Sequence, residues 1–208
     1  MPEARSKRGR LTAAFTEMLA VLGAERDPEM RHTAERAASL WLDHLVAGQG
    51  RDLGRILGRG APSASHSPVS LFDIGVHLVC PHHLTVAFGQ AHVAYIPNGR
   101  VVGFGALARL VAAATARLSL QEDATDCIAA TLVEHLGAAA AVAVIVAVHP
   151  CHNVIHPRSH QARAATWAVH GDPVVARTLK ADLRQALALI GAPPAAVSAR
   201  QSPRRGSR

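Results

Sequence analysis

Aromatic side chains are scarce in this sequence: phenylalanine, tryptophan and tyrosine together make up only 3% of its 208 residues. Apolar residues nevertheless account for 49% of the chain, and alanine and valine fill positions where larger side chains usually stand. A core of small side chains buries little apolar area per residue, so it stabilises an isolated chain only weakly. We therefore expect the chain to gain stability by assembling into a homo-oligomer.

Cysteines are few, and long apolar runs are missing. The three cysteines are an odd number, which argues against a disulfide framework. The charged N-terminus lacks the apolar stretch of a secretory signal. The longest apolar run, residues 138–148, is shorter than the roughly 20 residues that a membrane helix needs. We expect a cytoplasmic protein with reduced thiols and no membrane contact.

Basic residues outnumber acidic ones, giving a formal net charge of +7 and an isoelectric point near 10.6. Much of this charge lies at the two ends of the chain, where we expect residues 1–10 and 193–208 to form disordered basic tails. A nucleic-acid-binding protein would need a basic stripe or aromatic platforms within its folded part, and the sequence shows neither. Nucleic acid is therefore an unlikely partner.

Helical periodicity dominates the first part of the chain. Apolar side chains recur at helical spacing over residues 11–25, which predicts a first helix. Asp27 followed by Pro28 matches a helix N-cap with proline at the first helical position, and we expect this second helix to run to about Val46. Gly, Ser, Pro and Arg prevail over residues 47–68 and indicate a loop. Residues 11–66 are thus predicted to form an N-terminal helical segment and linker.

Strand and helix patterns alternate over the remaining domain, residues 67–192. Strands are predicted from residue 69, over 91–96 and 100–103 as a hairpin around Asn98-Gly99, and over 139–149 and 163–169. Helices are predicted at about 105–118 and 122–136, and Asp172-Pro173 is expected to cap a final helix ending near Ile190. This order predicts an α+β domain with a largely antiparallel sheet and two consecutive helices.

Cysteine and histidine are spaced like metal ligands at two predicted strand ends. Cys80 and His83 are separated by two residues, and Cys151 follows the long strand that ends at His149. Zinc prefers thiolate and imidazole, and a catalytic zinc site has three protein ligands and one open position. Lone cysteines are also commonly buried as small apolar residues, the role we expect for Cys127 in mid-helix. Spacing alone leaves both interpretations open.

A series of longer motifs is more specific. In chain order they are Cys80-Pro-His-His-Leu, Gly89-Gln-Ala-His-Val-Ala-Tyr-Ile-Pro-Asn-Gly, Val102-Gly, Leu107-Ala-Arg-Leu-Val, Gln121-Glu and Val148-His-Pro-Cys. Their order and spacing resemble the GTP cyclohydrolase I family over roughly residues 69–190, and Thr33-Ala-Glu-Arg is similar to that family's Thr-Pro-x-Arg helix. The resemblance implies the tunnelling (T-) fold, in which subunits pool antiparallel sheets into a barrel, typically a decamer, with active sites between neighbours.

The resemblance also implies a zinc-dependent mechanism. Zinc would be held by Cys80, His83 and Cys151, and it would activate water to attack C8 of a guanine-type purine and open its imidazole ring. His82 would donate a proton to the purine nitrogen, and His149 would serve later proton transfers. Without the family, either histidine could equally be a core residue or one that orients a ligand.

The resemblance makes Gln121 and Glu122 the residues that bind the base. A carboxylate accepts two parallel hydrogen bonds, which matches the N1–H and exocyclic amine of guanine and does not match adenine. Without the family, an acidic residue at this position would be interpreted as first-turn charge that favours the helix dipole.

The sequence departs from the family where the family binds triphosphate. Phe104-Gly105-Ala106 replaces the family's Leu-Ser-Lys, Ile155 aligns with an arginine, and Ser39 aligns with a lysine. Arg109 and Arg158 are the basic residues that remain for substrate binding. Because the roughly three to four negative charges of a triphosphate normally need several lysine or arginine donors, we expect a guanine base, nucleoside or less phosphorylated nucleotide as substrate.

Two alternative functions stay open. The chain would be an ordinary GTP cyclohydrolase I that makes dihydroneopterin triphosphate if an unfamiliar site binds the phosphates. It would be a catalytically silent zinc-binding paralogue if it kept the fold for a structural or regulatory role, although the presence of both His82 and His149 argues against this. The series His152, His156 and His160 indicates a remodelled pocket, another metal site or a polar surface loop, of which we favour the loop.

Overall fold

A computed structural model describes residues 6–156 and 162–190 as an antiparallel sheet with helices on both faces. Its elements are α1 (Lys7–Val21), α2 (Thr33–Leu40), α3 (Leu53–Leu57), β1 (Ala61–Pro62), β2 (Val69–Val79), β3 (Val86–Ile96), β4 (Arg100–Val101), α4 (Phe104–Thr115), α5 (Gln121–Glu134), β5 (Ala140–Val148), α6 (Pro150–Ile155), β6 (Ala164–Gly171) and α7 (Pro173–Ile190). The described chain is α+β, with two consecutive helices between β4 and β5, as the sequence predicts.

The N-terminal helices differ from those predicted. α1 begins inside the predicted basic tail because the hydroxyl of Ser6 caps it, accepting a hydrogen bond from the backbone N–H of Gly9 at 3.0 Å. Asp27 acts as a cap, but the helix that it opens is a single 3-10 turn, and α2 starts only at Thr33. A π-helical turn at Trp41–Leu45 follows α2. The prediction of one continuous helix from Asp27 to Val46 is therefore wrong. The segments 1–5 and 191–208 lie outside the described residues.

The predicted loop over residues 47–68 contains two short elements. Asp52 caps α3 by accepting a hydrogen bond from the backbone N–H of Arg55 at 3.1 Å. β1 pairs antiparallel with β4 in a separate two-stranded sheet. Each element is shorter than the periodic stretch needed to recognise it in a sequence.

The pairing of β4 overturns the predicted hairpin around Asn98-Gly99. The chain does turn there, with Gly99 at φ 81°, but β4 pairs with β1 and not with β3. A strand has only two hydrogen-bonding edges, and those of β3 are already filled by β2 and β5. The hydroxyl of Tyr95 on β3 instead accepts a hydrogen bond from the backbone N–H of Val102 at 3.0 Å, which fixes the segment after β4.

The main sheet has the strand order β2-β3-β5-β6, and its register determines where the candidate site forms. Val79 pairs with Val86, Phe88 with Val148, and Ala147 with Ala164. The end of β2, the start of β3, the end of β5 and the start of β6 therefore meet at one end of the sheet. The segments that carry the predicted metal ligands leave the sheet at this end.

Helices cover both faces of the sheet. Along β5, Ala143 and Ile145 face the core formed with α4 and α5, whereas Val142 and Val144 face the core formed with α7. This alternation is the period-two pattern of a strand that is buried on both faces. Within residues 6–156 and 162–190, no helix combines the length and apolar character needed to cross a membrane.

His92 is a buried histidine on β3, with 7% of its surface exposed. Its Nδ1 accepts a hydrogen bond from the backbone N–H of Asp73 at 3.2 Å. Burial lowers the pKa of His92, and the nearby carboxylate of Asp73 raises it by a smaller amount. Because Nδ1 cannot accept this bond while it carries a proton, the folded state favours the neutral ring.

We expect His92 to make folding less favourable at acidic pH. Its pKa is lower in the folded chain than the ordinary value of 6.5, so the unfolded chain binds more protons below that pH, and the free energy of unfolding falls as the pH falls. In His92→Gln, whose amide oxygen can still accept the Asp73 hydrogen bond, this part of the pH dependence should be absent. Urea unfolding at about pH 8 and about pH 5.5 measures it.

His66→Gln removes an imidazole from an exposed loop and serves as the control, which should keep the pH dependence of the unmodified chain. Equal pH dependence in His92→Gln and in the unmodified chain would contradict the prediction.

Candidate metal and catalytic site

The turn between β2 and β3 carries the first cluster of candidate residues. The backbone N–H of Cys80 donates to the carbonyl of Thr85, and the N–H of Leu84 donates to the carbonyl of Cys80, each at 2.9 Å. Leu84 has a left-handed φ of 54°, which lets the chain reverse within so few residues. The reversal brings the side chain of His83 back to that of Cys80, with 3.8 Å between Sγ and Nδ1.

The short helix α6 supplies the third cysteine. β5 ends at Val148, His149 precedes the helix, and Pro150 occupies its first position, where a missing N–H costs nothing. The backbone N–H groups of His152 and Asn153 both donate to the carbonyl of His149, which closes the first turn around Cys151. Cys151 therefore lies directly beyond the strand end that faces the β2–β3 turn.

Cys80, His83 and Cys151 fit a metal ion. Their ligand atoms all lie within 4.8 Å of one another. Bonds of about 2.3 Å to sulfur and 2.0–2.1 Å to nitrogen, at tetrahedral angles, place two ligand atoms about 3.5–3.8 Å apart, which agrees with the separation of Cys80 Sγ and His83 Nδ1. Cys80 is buried and Cys151 half-buried, while His83 is exposed. The three residues could thus hold an ion at the boundary between core and solvent, with a fourth position left open.

Gln121, the first residue of α5, is buried and holds His149 by a hydrogen bond. Its Nε2 donates to the carbonyls of Ile145 and Ala164 at 3.0 and 3.3 Å and to the hydroxyl of Thr166 at 3.1 Å. Carbonyl oxygens only accept, so these contacts fix which end of the amide is nitrogen. The opposite end, Oε1, lies 2.8 Å from His149 Nε2 and can only accept. His149 therefore carries a proton on Nε2.

These residues line one cavity of about 390 Å³. Seven of the eight predicted site residues line it: Cys80, His82, His83, Gln121, Glu122, His149 and Cys151. The eighth, Arg109, is exposed on α4 and does not line this cavity in the described chain. Glu122 is exposed in the first turn of α5, beside the buried Gln121.

Arg163 and His152 complete the polar lining of the cavity. The sequence carries no signal for Arg163 as a site residue, because it is a single arginine just before β6 and only the antiparallel register brings it to the cavity. His152 belongs to the histidine series for which we favoured a polar surface loop, but it lies on the helix α6 and lines the cavity. Arg158 and His160 lie outside the described residues.

Ser39, Ala106 and Ile155, the positions that the resemblance aligns with cationic residues, do not line this cavity in the described chain. Ser39, on α2, accepts a hydrogen bond from Arg8 of α1, and Ala106 packs against the core from α4. Ile155, on α6, is exposed to solvent.

Comparison with known proteins gives a consistent result along the chain. A family model of GTP cyclohydrolase I matches residues 11–190. The match therefore includes the N-terminal helices as well as the main sheet and the helices that cover it.

Individual relatives carry the same family name. A GTP cyclohydrolase 1 of Chromobacterium violaceum is 38% identical over 160 residues, which are 76% of this chain and 78% of that protein. The GTP cyclohydrolase 1 of Ralstonia nicotianae is 36% identical, with 78% of both chains covered, and that of Leifsonia xyli is 35% identical, with 79% and 87% covered. Among solved structures, an apo archaeosine synthase QueF-Like covers 51% of this chain and 95% of its own at a TM-score of 0.42 and 18% identity, a similarity too weak to support a conclusion.

The geometry predicts that the purified chain binds about one zinc ion at the cysteine–histidine cluster. Cys80→Ser and Cys151→Ser should each lose most of this zinc, since thiolates are its strongest ligands there. Cys127 is exposed on α5, contrary to the buried role expected for it, and Cys127→Ser there should keep the full amount of zinc. Metal analysis of the dialysed proteins decides the question, and full zinc in both ligand variants would rule out this site.

Proposed function

Because the chain belongs to the GTP cyclohydrolase I family, we propose that it is a zinc-dependent cyclohydrolase that hydrolyses C8 of a guanine-type purine and opens the imidazole ring. Membership of this family implies a hydrolase that acts on a cyclic amidine. The observation that carries the proposal is that one cavity combines the ligand cluster with the two expected catalytic histidines, His82 and His149, and the carboxylate of Glu122.

The donor set suits zinc, and zinc bound there supplies a Lewis acid that makes water a stronger nucleophile near neutral pH. Cys80, His83 and Cys151 would hold the ion, and all three residues line the cavity. The buried position of Cys80 and the short turn that returns His83 to it keep the ligands in place before the ion arrives. Preorganised ligands of this kind hold a metal in one geometry.

His149 moves protons through Nδ1. Gln121 holds the proton on Nε2, so Nδ1 is the atom through which the ring takes up or gives away another proton. Gln121 was expected to bind the base, but its amide nitrogen and oxygen already have partners within the protein. It contributes by orienting His149. His82 lies exposed in the β2–β3 turn and donates a proton to the purine nitrogen.

Glu122 selects the base. Its carboxylate accepts hydrogen bonds from N1–H and the exocyclic amine of guanine, a pair that adenine does not offer. The position at the start of α5 supports this role, because the helix dipole favours the charged carboxylate there. Gln121 anchors the same helix turn to the sheet, so the carboxylate is presented from a rigid element.

The substrate carries fewer phosphates than GTP. Among the described residues that line the cavity, Arg163 is the one lysine or arginine. The family's cationic contacts are replaced by Ser39, Ala106 and Ile155. Each charge-assisted contact to phosphate contributes about 1.5–3 kcal/mol, so the loss of three corresponds to roughly 5–9 kcal/mol. A guanine base, nucleoside or less phosphorylated nucleotide avoids this loss.

The working enzyme is a homo-oligomer of the T-fold type, with a decamer as the expected size. β2 and β6 each have one edge that pairs with no strand of the described chain. Phe88, near the cavity end of the sheet, and Trp167, midway along β6, are both exposed. Open strand edges and exposed aromatic side chains favour association with a second copy, which would cover them.

We expect His82→Ala and His149→Ala to lower turnover by roughly 100-fold or more, the usual scale for the loss of a general acid–base group. Zinc content and oligomeric state should not change, since neither residue is a ligand. His66→Ala, in an exposed loop, is the control and should turn over normally. Turnover is measured through the loss of purine absorbance that accompanies ring opening. Normal turnover in either variant would remove that histidine from the mechanism.

We further expect the specificity constant for guanosine or guanine to exceed that for GTP at about pH 6 and about pH 8, a range that spans histidine titration. Ile155→Arg restores the family's arginine and should raise the constant for GTP by about tenfold or more, the effect of one phosphate contact. Val154→Arg adds the same charge one position earlier on α6 and is the matched control.

If GTP is clearly preferred by the unmodified chain at both pH values, the reduced-phosphate substrate is wrong. The chain would then be an ordinary GTP cyclohydrolase I with an unfamiliar phosphate site.

A further inference from the structure

α6 carries a pair of imidazoles that the Cys80, His83 and Cys151 cluster does not use. His152 lies in the helix and His156 is its C-cap residue, four positions later. Residues four apart lie on the same face of a helix. The backbone N–H of His156 donates to the carbonyl of His152 at 2.8 Å, which keeps the two residues at helical spacing although the helix ends there.

The separation of the two rings is compatible with a shared metal ion. Their centroids are 5.0 Å apart, with 49° between the ring planes. A metal bonded to one nitrogen of each ring at 2.0–2.1 Å, with an angle between perpendicular and tetrahedral, places the centroids about 4.5–5.2 Å apart. Both side chains are exposed, so an ion can reach them without rearrangement of the core.

We propose that His152 and His156 form a second metal site, for a divalent transition metal such as zinc, nickel or copper, at the rim of the cavity. Imidazole suits these ions. The site is distinct from the first, because the cluster whose ligand atoms lie within 4.8 Å of one another contains Cys80, His83 and Cys151 but neither of these histidines. Since His152 also lines the cavity, the second ion lies beside it. With two protein ligands it keeps positions open for water or an anionic oxygen.

The test is zinc stoichiometry on the untagged full-length chain, measured by equilibrium dialysis over a range of free zinc. The unmodified protein should bind two ions per chain in two distinct steps, the first at the thiolate cluster and the second more weakly. His152→Ala and His156→Ala should each raise the dissociation constant of the second ion by at least about tenfold while leaving the first ion in place.

Two controls separate the imidazole pair from other causes. Val154→Ala lies between the two histidines on α6, and His66→Ala removes an imidazole elsewhere; both should keep the second ion. Cys80→Ser should lose the first ion and keep the second, so failure of the thiolate site and failure of the histidine site are distinguishable. A single ion in the unmodified chain, or a second ion whose affinity is unchanged in His152→Ala and His156→Ala, or lost equally from Val154→Ala, overturns the proposal.

Discussion

The antiparallel register between β3 and β5 is the constraint on which the candidate site depends. Because Phe88 pairs with Val148, the chain leaves β5 at the end of the sheet where β2 turns into β3, and Cys151 meets Cys80 although the two are far apart in sequence. A slip of one residue would exchange the side chains of β5 between the two cores. Both cores are filled, so the hydrophobic pattern of a buried strand holds the candidate metal ligands in register.

Gln121 joins the site to the core by a second route. Its amide bridges α5 to β5 and to the start of β6, and the same group orients His149. A side chain of another shape would lose the hydrogen bonds to Ile145, Ala164 and Thr166 together with the one that orients His149, a loss that is unfavourable in a medium of low polarity. The orientation of His149 therefore depends on the packing of α5 against β5 and β6.

Strong local patterns made much of this arrangement predictable. The apolar run of β5 and the Asp172-Pro173 cap of α7, whose carboxylate accepts hydrogen bonds from two backbone N–H groups, are encoded in neighbouring residues. The pairing of β4 with β1 was not predictable, because the competition for the edges of β3 is decided by strands distant in sequence. For the same reason Arg163 was missed, while Arg109, chosen by motif, lies outside the cavity. The spacing of Cys80 and His83 is local, whereas their meeting with Cys151 required the sheet.

The side chains of the short helix α6 face in two directions, toward the candidate metal cluster and toward solvent. Cys151 turns toward the metal cluster, while Val154 and Ile155, only a few residues later, are 80% and 57% exposed and support nothing in the core. Substitutions at Val154 and Ile155 are therefore expected to leave the core and the cluster of Cys80, His83 and Cys151 unchanged, since neither side chain belongs to either. One turn of helix thus places a position on which the candidate site depends beside two positions whose size and polarity the fold does not constrain.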